Sequence, residues 1–211
     1  MKKLVLSAAI LAVLTGGMST AVSFATAGTA VACEATSQGS QSVAAQLPQV
    51  NRGDKGRHVL ALQLALRVEG YNYLRGTGTY ANETLRAVKD FQRKHGIKAS
   101  GVVGSKTWQA LVGKKSKDVT SGTLMPQPIF TLVPGEQDEE KVFYLSNMLV
   151  RIHPYGNNGN YSDADNVYGP NMQKAVRDFQ KRAGIKATGI VGPKTVTAMN
   201  EVISVSGQWG C

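Results

Sequence analysis

The chain is 211 residues long and carries 24 Lys and Arg against 14 Asp and Glu, a formal net charge of +10. That balance is compatible with anionic polymers as partners, although charge alone decides nothing. The three histidines, His58, His95 and His153, are scattered, with no H-E-x-x-H and no clustered acids. This excludes a metal centre of the peptidase type, and no cofactor is implied.

Met1-Lys2-Lys3, the apolar residues 4–14, and small-residue sites at Ala25-Thr26-Ala27 and Ala30-Val31-Ala32 read as a secretory signal peptide over residues 1–32. The apolar stretch is well short of the ~20 residues that a membrane span needs. The mature protein is therefore expected to be exported, with 22 basic and 14 acidic residues left after Lys2 and Lys3 are removed. Export takes away nucleic acid as the usual partner and leaves phosphate polymers, carboxylated glycans or acidic lipid head groups. Cys33 opens the expected mature chain and Cys211 ends it. An even pair in an exported protein suggests a Cys33–Cys211 disulfide, worth on the order of 5 kcal/mol in the chain-entropy picture. Two alternatives stay open. One is a lipid-modified Cys33, since Ala30-Val31-Ala32-Cys33 resembles a lipobox without its usual Leu; the other is a pair of free or intermolecular thiols. Residues 33–50, rich in Ser, Gln and Ala, read as a flexible spacer.

A unit then runs over residues 51–113. Val59, Leu62 and Leu66 recur at helical spacing, with Leu60 and Leu64 beside them, and Gly70 closes this first helix. A turn-rich stretch leads to Tyr80. Ala87, Val88 and Phe91 mark the buried stripe of a second helix ending before Gly96, and Thr107, Trp108 and Leu111 lie on a short third helix starting near Gly104-Ser105. A connector follows over 114–134, then a second unit over 135–204 and a tail over 205–211. The second unit restates the first: residues 87–111 read AVKDFQRKHGIKASGVVGSKTWQAL and residues 175–199 read AVRDFQKRAGIKATGIVGPKTVTAM, without a gap, at an offset of 88. Its first helix, with Val142, Leu145 and Leu149, aligns at 83, so the loop before Tyr168 is five residues longer. The expected architecture is mainly α: two tandem three-helix units with short strands at most. Each is near the lower limit for an independent core, so packing between them is expected. The two copies leave little room for a catalytic domain.

The first unit reads V-x-x-L-Q-x-x-L-x-x-x-G-Y at Val59, Leu62-Gln63, Leu66 and Gly70-Tyr71. It continues through Gly78-Thr79-Tyr80, Ala87-Val88, Phe91-Gln92, Gly101-Val102-Val103-Gly104 and Thr107-Trp108. This pattern resembles the peptidoglycan-binding-like domain found beside the catalytic domains of bacterial wall hydrolases. The second unit matches through Val142, Leu145, Leu149, Val167 to Pro170, Phe179-Gln180 and Thr188 to Thr195. It departs at His153-Pro154-Tyr155, where the first has Gly-Tyr, and at Val196, where the first has Trp108; the family's Asp-Gly is Thr77-Gly78 in one copy and Asp165-Asn166 in the other. The resemblance implies non-covalent attachment to the peptide and adjacent glycan of peptidoglycan, with avidity if both units engage at once.

Candidate binding residues follow from charge and from aromatics. Arg86, Lys89 and Arg93 lie on one helix face, with Lys94 adjacent, and their counterparts are Lys174, Arg177, Lys181 and Arg182. All four exchange Arg for Lys yet keep their charge. The functional reading is a cationic stripe facing peptide carboxylates or wall phosphates; the plainer alternative is a solvated helix face. Sugar rings pack on exposed aromatics, which makes Tyr71, Tyr73, Trp108, Tyr155 and Tyr161 candidates. Trp108 is equally a core anchor, and Tyr80 and Tyr168 read as half-buried core. Asp90 and Asp178, one per unit, read as a repeated structural contact. The string Gly76-x-Gly78-x-x-Ala81 mimics a dinucleotide fingerprint, but no strand precedes it. The expected function is therefore an exported, non-catalytic binder of peptidoglycan or another anionic wall polymer, associated with the cell wall. The alternative is an interaction protein that binds a secreted wall hydrolase in trans.

Overall fold

The computed structural model describes residues 44–112, 128–152 and 167–206. The expected signal segment, Cys33, Cys211, Tyr155 and Tyr161 lie outside the described residues. The first unit carries α1 (Arg57–Val68), α2 (Asn82–Lys94) and α3 (Ser105–Val112); the second carries α4 (Glu139–Ile152), α5 (Pro170–Arg182) and α6 (Pro193–Ser206). Among the described residues, β-structure is limited to four isolated antiparallel bridges: Val50 with Val103, Lys55 with Thr79, Leu132 with Val191 and Gln137 with Val167. Mainly α, in two tandem three-helix units, is what the sequence pattern predicts.

The helices start and stop where local chemistry directs. Pro170 and Pro193 open α5 and α6, where a missing N–H is harmless and the fixed φ suits a helix. Arg93 and Lys94 fill the last turn of α2, and Lys181 and Arg182 that of α5, where cations face the unpaired carbonyls. Each core centres on a matched set. Phe91, Tyr80, Val88 and Trp108 are buried in the first unit, and Phe179, Tyr168, Val176 and Val196 in the second. The Tyr80 hydroxyl donates to the Gly101 carbonyl at 2.6 Å, and that of Tyr168 donates to Gly189. Burial pushes both phenols well above their ordinary range, so they stay protonated.

A buried glutamine organises the second turn of each unit. Gln92 accepts from Gly101 N–H at 2.9 Å and donates to the Val102 carbonyl at 2.8 Å and to Thr107 Oγ1 at 3.1 Å. Gln180 repeats all three bonds with Gly189, Ile190 and Thr195 at 2.9, 2.9 and 3.1 Å. Buried amides persist when all their polar atoms are met, and these are. A third, Gln63, links α1 to Gly78 N–H, the Thr79 carbonyl and Thr84 Oγ1; the second unit has Ser146 at that place.

The end of the expected spacer is packed onto the first unit. Ala44 is buried, Val50 exchanges two backbone hydrogen bonds with Val103, and the Trp108 indole N–H donates to the Pro48 carbonyl at 2.9 Å. Residues 44–50 are thus held in place: Trp108 needs an acceptor for its N–H when buried, and this segment supplies it.

The two units form a joint. The largest helix–helix contact among the described residues runs between α1 and α6. Every residue of α1 from Val59 to Leu66 is buried, so the helix has no solvent face over two turns. Val59, Leu62 and Leu66 share one face, toward the first unit's core. Ala61, Leu64 and Ala65 share the opposite face with Arg57 and His58. Those two meet Glu201 of α6: Arg57 Nε lies 2.6 Å from Oε2 and His58 Nε2 lies 2.6 Å from Oε1. Ala198, Val202 and Val205, on the Glu201 face of α6, are buried beside it. A second contact lies at the end of α5. Arg182 Nη1 donates to the Gly76 carbonyl at 3.2 Å, and a Cβ on Gly78 would stand 2.1 Å from the Arg182 carbonyl oxygen. The glycine string that mimics a dinucleotide fingerprint is therefore the seat of the other unit's backbone.

Candidate functional site

The first unit's surface gathers charged and aromatic groups where the loop after α1 meets α2. Arg67, in the last turn of α1, donates to the Leu74 carbonyl at 2.7 Å and also to that of Asn72. These bonds fix the loop that carries Tyr71 and Tyr73. Tyr71 is largely buried, and its hydroxyl donates to Asp90 Oδ2 at 2.9 Å. Tyr73 stands edge-on to it, with ring centres 6.4 Å apart at 82°, and is 45 % exposed.

Charges on α2 frame this pair. Arg86 lies over the Tyr73 ring at 5.2 Å, and Lys94 over Tyr71 at 5.1 Å, both within reach of a cation–π attraction. Asp90 sits between them. Lys94 Nζ is 2.8 Å from Oδ2 and Arg93 Nη2 is 3.3 Å from Oδ1. The Lys94 and Tyr71 hydrogen bonds hold the Asp90 carboxyl below its usual range, while burial and Asp90 raise the Tyr71 phenol. Two cations of the stripe are therefore tied to one carboxylate. Arg86 and Lys89 meet no carboxylate among the described residues, and Lys89 lays its stem along Gly101.

The sequence candidates divide accordingly. Tyr71, Tyr73, Arg86, Lys89 and Arg93 come together on one surface. Trp108 does not join them: it is fully buried with its N–H on Pro48, so its ring offers no face to a ligand. On the second unit Lys174 and Lys181 are exposed, and Arg177 runs along Gly189 as Lys89 does along Gly101. Arg182, the counterpart of Lys94, is drawn into the joint and pairs with Asp178 at 3.0 Å. Asp90 and Arg67 belong to the first unit's cluster although the sequence pattern singles out neither of them for binding. The signal for Asp90 was its place one turn from both Arg86 and Lys94.

Among the described residues, no three His, Cys, Asp or Glu side chains cluster as metal ligands, and no helix is long and apolar enough to cross a membrane. The surface can bind through charge, hydrogen bonds and ring faces.

Residues 55–111 and 140–199 each match the family described as "Putative peptidoglycan binding domain". The chain belongs to this peptidoglycan-binding domain family. The two matched segments coincide with the two helical units, so the peptidoglycan-binding domain is present in two copies. Relatives of this chain include a "Probable N-acetylmuramoyl-L-alanine amidase" of Bacillus licheniformis, 33 % identical over 178 residues that span 80 % of this chain and 48 % of the relative. The "N-acetylmuramoyl-L-alanine amidase CwlL" of Bacillus licheniformis is 31 % identical over 178 residues, spanning 80 % and 49 %. An "Uncharacterized protein in bpoA1 3'region" of Kitasatospora aureofaciens is 35 % identical over 100 residues, 45 % of this chain and 81 % of that protein. The chain thus spans about half the length of the two amidases.

Proposed function

We propose that this protein is an exported, non-catalytic binder of peptidoglycan that works at the cell wall through its two-unit helical body. The observation that carries the reading is the surface of exposed Tyr73 and Arg86 with half-buried Lys89, displayed by a chain whose folded units match a peptidoglycan-binding family. Wall material offers what that surface takes. Its peptide carboxylates suit cations that lack a protein partner, and its sugar rings suit a tyrosine face. Avidity from two sites, expected from the sequence, depends on whether both units present such a surface in one rigid joint.

Co-sedimentation of the pure protein with peptidoglycan, with and without teichoic acid and across a salt series, tests this. Binding is expected to survive teichoic acid removal, to weaken with salt, and to fall when Arg86, Lys89 and Arg93 are replaced by Glu. No sedimentation with either preparation would overturn it. The amidase names of the relatives bring in one further test: release of dye from labelled wall by the pure protein would overturn the non-catalytic part of the reading. Capture of a secreted hydrolase by the immobilised chain, with no glycan present, would favour a role in trans.

A further inference from the structure

The two units carry the same cationic pattern in sequence, yet the structure puts it to different uses. In the first unit Lys94 is an outward group, its side chain 66 % exposed, and with Asp90 it braces Tyr71. At the same place in the second unit, the Arg182 side chain is only 13 % exposed. It pairs with Asp178 and donates to the Gly76 carbonyl of the first unit, while its own carbonyl oxygen packs on Gly78. Lys174 stands where the first unit has Arg86. A lysine has no planar fork and stacks poorly on a ring, so the swap is not neutral at a stacked position. The last helices diverge too: α6 has 14 residues, α3 has 8, and α6 places Glu201, Val202 and Val205 at the joint.

Resting on the wall-binding reading above, we infer that ligand recognition is confined to the first unit, at Tyr73 and Arg86, and that the second unit holds that site's platform in place. The ligand group is a carboxylate carried next to a sugar ring. Arg86 lies over Tyr73 with its Cζ 5.2 Å from the ring centre, and a guanidinium held there can offer a planar carboxylate two parallel hydrogen bonds. Asp90 is shared by Lys94 and Arg93, and Arg86 and Lys89 have no ion-pair partner among the described residues, so the surface keeps positive charge for a carboxylate. Tyr71, braced by Asp90, and Arg67, clamped on the Asn72 and Leu74 carbonyls, position Tyr73. They act through it and need not touch the ligand.

The test is calorimetric titration of the full chain with a soluble disaccharide–peptide wall fragment, alongside sedimentation with intact peptidoglycan. One fragment per chain is expected. Arg86→Lys, which keeps the charge and loses the fork, is expected to weaken binding tenfold or more, and Tyr73→Ala to do likewise. Substitutions of Lys174, Lys181, Tyr155 and Tyr161 to Ala are expected to change it less than twofold. Methyl esterification of the fragment's carboxylates is expected to abolish the heat, and the peptide-free glycan to bind weakly. The free peptide separates a stem carboxylate from one carried by another wall polymer. Two equal sites per chain, an equal loss from the second-unit variants, or undiminished binding by Arg86→Lys would each overturn the assignment while leaving wall binding intact. A wild-type chain that fails to sediment with intact peptidoglycan would overturn wall binding itself.

Discussion

Gly78 offers the sharpest test of the joint between the units. It has φ +69°, and a Cβ built there would lie 2.1 Å from the Arg182 carbonyl oxygen and 2.9 Å from its carbon. Both are backbone atoms, so no side-chain rotation relieves the clash; the end of α5 or the loop 76–78 must move, and the Arg182–Gly76 hydrogen bond moves with it. Gly96 is a matched control, with φ +66° and nothing within 4 Å of its added Cβ. Gly96→Ala carries the left-handed backbone penalty alone, about 1–2 kcal/mol. Gly78→Ala carries the same penalty plus about 1–3 kcal/mol for overpacking, roughly 2–5 kcal/mol in all. Urea denaturation followed by circular dichroism reads the difference, provided that the slope with denaturant is unchanged. If the two variants differ by less than about 0.5 kcal/mol, the α5 terminus does not sit on the glycine loop in solution and the joint is wrong.

Three further outcomes are expected. Gln180→Leu strands the Gly189 N–H, the Ile190 carbonyl and the Thr195 hydroxyl, and Gln92→Leu does the same in the first unit; each is expected to cost about 2–5 kcal/mol by thermal or urea unfolding, and a loss below ~1 kcal/mol would mean that water replaces the amide. Burial raises the Glu201 carboxyl, but the hydrogen bond and charge of His58 and the Arg57 guanidinium outweigh it, leaving the group below its ordinary value of 4.5. The unfolded chain then takes up the proton first as pH falls, so the joint's contribution is complete above about pH 5 and is lost as pH drops through 4.5 and below. Glu201→Gln should flatten that part of the stability profile; an unchanged profile would remove Glu201 from the joint. Trp108→Phe removes the bond to Pro48 and should lower stability by about 1–2 kcal/mol while sedimentation with peptidoglycan stays at the wild-type level, since the ring is inside; lost sedimentation by a folded variant would restore Trp108 as a ligand platform.

The helical plan was legible because it is written twice at fixed spacing, with Phe91 and Phe179, Tyr80 and Tyr168, and the Val59 and Val142 stripes marking equivalent cores. The buried glutamines were half legible. Gln92 and Gln180 stand at the same place in both copies, yet a glutamine reads as surface until the turn that meets its amide is known. The joint had a clear signal in the run from Val59 to Leu66, since a helix apolar all round must be covered on every side. Its partner could not be named from α6, whose Glu201 reads as a solvated acid until Arg57 and His58 arrive from 144 and 143 residues away. For the proposed surface site, charge retention pointed to α2. It overstated the likeness of the two units, because sign survives in Arg182 while its direction changes. Tyr73 depends on Arg67 reaching two carbonyls in the following loop, a contact that spacing does not encode.

The α1–α6 contact joins two different surfaces, a head to a tail, and contacts of that kind propagate into arrays unless the free ends differ from the joined ones. Here they differ. Where α1 brings Arg57, Ala61 and Leu64, the same positions of α4 hold Glu140, Tyr144 and Asn147, and the Glu140 carboxylate is engaged by the Tyr144 hydroxyl. Where α6 brings Val202 and Val205, the chain after α3 has Lys114 and Lys117. A helix like α6 placed against α4 would meet Glu140 and Tyr144 where α6 meets Arg57 and Ala61. The α4 face equivalent to the joint has thus changed in size and charge, with Tyr144 in the place of Ala61 and Glu140 in the place of Arg57, so the two copies of one fold are no longer interchangeable at this contact.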